Sequence, residues 1–166
     1  MIEIHHKEGF MKIKNYTSKV PFTKSVSMIE KCLIDMGANH INKTYQDSIL
    51  VGITFQIIQE GFPIIIKLPA NIEAITKEML LEIKKKKSGE SKKNEEKIVL
   101  KISDQAVRTA WKLLLDWTQV QSSMVIIGKR KVLEMFLPYI YDSQKDITIY
   151  EKLEATKFKM LNYKEG

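Results

Sequence analysis

The sequence predicts an α+β fold: a helix, a three-stranded antiparallel sheet, a second helix, then a long helix and short C-terminal helices. Three observations carry this reading. Apolar residues recur every three or four positions in residues 26–36, 72–83 and 107–125, the spacing that lines one face of a helix. In residues 49–58 and 62–68 they alternate with smaller or more polar partners, as in a strand with one face on a core. Glycine and polar turn residues fall between these runs rather than inside them.

Val20-Pro21 is an extended lead-in to a helix whose inner face is Val26, Ile29, Leu33 and Met36, with Gly37 as a left-handed stop. His40 to Tyr45 reads as a strand, and Gln46-Asp47-Ser48 as a turn. Ile49, Val51, Ile53, Phe55 and Ile57 form the core face of the next strand. Glu60-Gly61 turns the chain into Phe62, Ile64, Ile66 and Leu68, so the two runs form an antiparallel hairpin. Pro63 lacks an amide to donate, which places it at an edge or a strand start.

Asn71 caps a helix through Ile72, Ile75, Met79 and Ile83. Residues 84–97, KKKKSGESKKNEEK, contain no apolar side chain and cannot offset their ordering entropy by burial, so they read as a flexible lysine-rich loop. Ser103 then caps the long helix, with Asp104 favourable to its dipole and Val107, Ala110, Trp111, Leu114, Trp117, Met124 and Val125 on a broad apolar face ending at Gly128. A short helix is expected over residues 131–137, stopped by Pro138, and another over 147–155. The expected division is 11–83 as an α-β-β-β-α half, 84–97 as the loop, and 98–166 as a helical half on the same core.

Residues 1–10 are set apart because Lys7-Glu8-Gly9-Phe10-Met11 back-translates into a purine-rich ribosome-binding sequence just before a start codon. They are expected to be a misassigned leader, with Met11 the start. The apolar runs are far shorter than the roughly 20 residues of a membrane helix, so no membrane partner is expected. The single cysteine, Cys32, cannot form an internal disulfide and sits on a predicted helix as a small buried hydrophobe, which fits a reducing cytoplasm.

The formal net charge is +7, but residues 84–97 hold seven lysines against three glutamates. Outside that stretch and the first ten residues, the other 142 carry a net +4. A lysine tract is ordinarily a solvated linker. Catalytic parts are scarce. His5 and His6 lie in the expected leader, and His40 stands without a second ligand at metal-binding spacing. No phosphate-cradling glycine loop or nucleophile elbow is present, and Asp35, Asp47, Glu60 and Asp116 are scattered, so no enzyme, metal or cofactor is expected. Trp111 and Trp117 lie about 240° apart around a helix and cannot share a narrow stripe. A broad buried face accommodates both; an exposed one would offer a surface for base stacking.

The segments Asn15-Tyr16-Thr17-Ser18-x-Val20-Pro21, Leu68-Pro69-Ala70-Asn71-Ile72, Val107-Arg108-Thr109-Ala110-Trp111-Lys112, Trp117, Gln121 and Glu134-x-Phe136-Leu137-Pro138-Tyr139 resemble a family of uncharacterised proteins. Its members occur in bacterial and archaeal genomes and their phages. The resemblance spans residues 15–141, departs at Val120 and in the lysine tract, and transfers no functional residue. It implies a mobile-element accessory protein that handles DNA or blocks a host protein. The helix, three strands, helix order is also similar to the double-stranded RNA-binding domain. Where that domain sets phosphate-binding lysines, however, this chain has Asn71, Ile72 and Glu73.

The expected function is therefore nucleic-acid association, with single-stranded DNA as the partner in replication or recombination. The candidate contacts are Lys84, Lys85, Lys86, Lys87, Lys92, Lys93, Arg108, Lys112, Lys129, Arg130 and Lys131. The alternative is a non-enzymatic module that inhibits a host protein.

Overall fold

The computed structural model describes residues 13–86, 92–128 and 130–161. Helix α1 (Phe22–Asp35) leads into β1 (His40–Gln46), β2 (Ile49–Gln59) and β3 (Phe62–Pro69). Helices α2 (Ile72–Lys86) and α3 (Lys92–Ile126) follow, then α4 (Val132–Phe136) and a 3-10 turn, Leu137–Tyr139. A small hairpin of β4 (Tyr141–Asp142) and β5 (Ile147–Thr148) precedes α5 (Ile149–Ala155) and a last 3-10 turn, Lys159–Leu161. This is the α+β architecture read from the sequence. The expected leader, residues 1–10, lies outside the described residues, and among those described no helix is long and apolar enough to cross a membrane.

Helix α1 buries Val26, Ile29 and Leu33. It ends where Gly37 adopts a φ of +96°, a conformation that costs glycine little because it has no Cβ. The amides of Gly37 and Ala38 then reach back to the carbonyls of Ile34 and Leu33, both at 2.9 Å, and satisfy the last turn.

The sheet order is β1-β2-β3, all antiparallel. Asp47, Ser48, Glu60 and Gly61, the central residues of its two tight turns, all have positive φ. That is the geometry whose twist matches the flanking strands. Pairs Ile53–Leu68, Phe55–Ile66 and Ile57–Ile64 share the inner face, and β3, with Pro63, is an edge as expected. Two inward assignments are corrected. Between Thr44–Gly52 and Tyr45–Leu50 the register slips, leaving Val51 with no partner directly opposite on β1. A bulge of this kind reverses which residues point inward. Leu50 is consequently buried while Ile49 is 41% exposed. Phe62, at the hairpin tip, is 71% exposed, beyond the buried layer.

Helices α1 and α2 both pack along α3. Ala106, Thr109, Ala110 and Thr118 are buried on α3 and Ser25 on α1. Small side chains allow helix axes to approach closely. Trp111 and Leu115 enter the core with Phe55 and Phe136. Helix α3 starts at Lys92 rather than at Ser103, and α2 runs to Lys86. Residues 84–86 and 92–97 are therefore helical, not part of a fourteen-residue loop. Short-range composition missed this because a helix turn without apolar residues can persist as the extension of turns that are packed.

At the C-terminus, Pro138 lies inside the 3-10 turn, and residues 147–148 pair as a strand before α5 starts. The predicted 147–155 helix is thus shortened by two residues. Its start is fixed by a capping box, with the Glu151 amide donating to Thr148 Oγ1 and the Thr148 amide to the Glu151 carboxylate.

Candidate nucleic-acid interface

Lys84, Lys85 and Lys86 close α2, and Lys92 and Lys93 open α3. The helices pack along each other and only five residues separate them, so they run antiparallel and these five positions fall at one end of the hairpin. Their electrostatic settings differ. The carbonyls at the end of α2 favour cations. At the start of α3 the dipole disfavours cations, so capping does not account for Lys92 and Lys93. Lys84 is exposed. Lys87 lies outside the described residues, as does Lys129.

The other candidates do not join this cluster. Arg108 Nη2 donates to Gln105 Oε1 at 2.8 Å. Lys112 is bound to Asp116, four residues on. Arg130 is held by Glu134, while Lys131 is exposed in the position before α4. Helix α3 is about 52 Å long at 1.5 Å per residue. Its two ends therefore cannot form one compact site.

Lys112 belongs to a structural clamp. The Asp116 carboxylate receives Lys14 Nζ at 2.8 Å and Asn15 Nδ2 at 3.0 Å in addition to Lys112. Burial pushes its carboxyl upward, but the hydrogen bonds from Lys112, Lys14 and Asn15 outweigh that and hold it far below the usual carboxylate range. Just N-terminal to it, Gln105 Nε2 donates to the carbonyls of Tyr16 and Ser18, and Thr109 Oγ1 donates to the carbonyl of Asn15. The Asn15-Tyr16-Thr17-Ser18 segment, where Asn15 has positive φ, is thereby tied to α3. Sequence reasoning treated Asp116 as isolated because its partners at 14 and 15 lie about a hundred residues away.

Neither tryptophan offers an open stacking face. Trp111 has no exposed surface and its Nε1 donates to the Leu50 carbonyl at 3.1 Å. Trp117 is half-buried, with its ring edge-on to Phe136 and Tyr139 at 5.3 and 5.4 Å.

Two grooves not evident from the sequence meet at Ile49 and Ser103. One, of about 810 Å³, lies between α1, β1 and α3 and includes Arg108 and Lys19. The other, of about 600 Å³, lies between the β1–β2 turn and α2 and includes Lys77 and Lys84. The exposed outward turn of Ile49, produced by the bulge, forms the divide. No group of three or more metal-ligating side chains occurs among the described residues.

No family model, no curated protein and no solved structure matches this chain.

Proposed function

We propose that the protein is a non-enzymatic accessory protein that binds single-stranded DNA through the lysine-bearing end of the α2–α3 hairpin. One observation supports this most: antiparallel packing gathers Lys84, Lys85, Lys86, Lys92 and Lys93, two of them at a helix terminus that disfavours cations. Clustered lysines neutralise phosphates and release counterions without reading sequence. The backbone contact would thus be largely sequence-independent. The setting, replication or recombination of a phage or mobile element, rests on the resemblance of the Asn15–Ser18, Ala110-Trp111 and Phe136–Tyr139 segments.

The site is narrower than the sequence-derived set. Lys112 and Arg130 already satisfy carboxylates, so they belong to the scaffold.

Fluorescence anisotropy with a labelled oligothymidylate at low salt tests the reading. Changing Lys84, Lys85 and Lys86 together to Gln should weaken binding at least about tenfold, while Arg130→Gln should change it less than about twofold. Failure of the unaltered protein to bind, together with recovery of a stoichiometric host protein, would support the inhibitor reading instead.

A further inference from the structure

We infer that the groove between α1 and β1 binds an extended peptide segment of a protein partner, which adds as a strand to the free edge of β1. At Ile49 and Ser103 it adjoins the second groove, which includes Lys84.

Three observations converge. First, among the described residues β1 pairs only with β2, and six of its seven residues are exposed. Alternate N–H and C=O groups along such an edge point away from the sheet and are complementary to another extended chain. Second, Lys43 and Tyr45, two residues apart on β1, line a groove whose apolar lining includes Phe22, Val26, Leu50 and Val107. A strand laid along β1 would send every second side chain toward that surface, the arrangement by which strand-addition sites obtain specificity.

Third, the charge of the lining identifies the flanking chemistry. Lys43 is neutralised by Glu30 at 2.9 Å. Asp104 then stands against Lys19 and Arg108, leaving a net single positive charge. Arg108 is half-buried, and its hydrogen bonds go to the neutral amide of Gln105 rather than to a carboxylate. A partly desolvated guanidinium with a neutral partner is a strong donor site for a ligand carboxylate. The peptide is therefore one with apolar residues facing the groove and an acidic residue placed to meet Arg108.

The test is an amide-resolved NMR titration of the whole chain with a short synthetic peptide that carries valine at every second, groove-facing position, one of them replaced by aspartate, with threonine between. Shifts should be concentrated at residues 40–46 and the groove lining. Arg108→Gln should raise Kd about tenfold with the remaining spectrum intact, and N-methylating alternate peptide amides should abolish binding. An absence of shifts at millimolar peptide would overturn the inference. Equal affinity of the N-methylated peptide would also overturn it, since main-chain pairing would then play no part. In a parallel titration, oligothymidylate should move the amides of Lys84–Lys86 and leave the peptide bound. If it displaces the peptide, the groove belongs to nucleic acid and the peptide assignment is wrong. Peptide binding without oligonucleotide binding would uphold this site and refute the DNA reading alone.

Discussion

Trp111 combines burial with a hydrogen bond, and the two contributions can be separated. Trp111→Ala removes a fully buried aromatic and should cost roughly 3–5 kcal/mol. Trp111→Phe keeps much of the volume but leaves the Leu50 carbonyl without its indole donor, a loss of roughly 1–3 kcal/mol. Urea denaturation of both variants checks the order; a Phe variant as unstable as the Ala variant would assign the whole effect to the hydrogen bond. Asp116 supplies a pH prediction. Its folded pKa is depressed, so its stabilisation is complete above the unfolded carboxylate value of about 4 and is lost as pH falls through the lower folded value. Asp116→Asn should cost roughly 1.5–3 kcal/mol near neutral pH. The gap from the unaltered protein should shrink in acid, as denaturation at several pH values would show. The burial of Trp111 was legible in its helical spacing. The Asp116 clamp was not, because no periodicity links residue 116 to residues 14 and 15.

At the scale of elements, period and turn chemistry located the strands, but the bulge at Val51 was hidden. A single unpaired residue leaves the composition of β2 unchanged while reversing the faces of Ile49 and Leu50. Beside it, Gly52 lies so close to β3 that an added Cβ would meet the Leu68 carbonyl oxygen at 3.1 Å. Gly52→Ala should therefore destabilise the protein by roughly 1–3 kcal/mol, since backbone in a central strand yields little. Thermal or urea unfolding measures this, and a neutral result would mean that the two strands can separate slightly without loss. The extensions of α2 and α3 into the lysine tract were also illegible. Helix propensity and continuity with packed turns sustain them, and neither leaves a mark in apolar spacing.

For the molecule as a whole, one core joins the sheet to the helices, and the α1–β1 groove adjoins a second groove that includes Lys84. The class and order of elements followed from the switch between periods of two and three to four. The site was less legible because charge in a sequence does not reveal its partners: Lys112 and Arg130 resemble Lys84 until Asp116 and Glu134 are seen beside them. What the fold adds is selection among cations, and the salt dependence of DNA binding tests that selection most directly. Log affinity for oligothymidylate should fall linearly with log salt, and Lys84, Lys85 and Lys86 changed together to Gln should flatten that slope by about 2, given about 0.7 per single-strand phosphate contact. Equal slopes for the altered and unaltered proteins, with both folded by circular dichroism, would contradict the assignment of the hairpin end as the DNA-binding site.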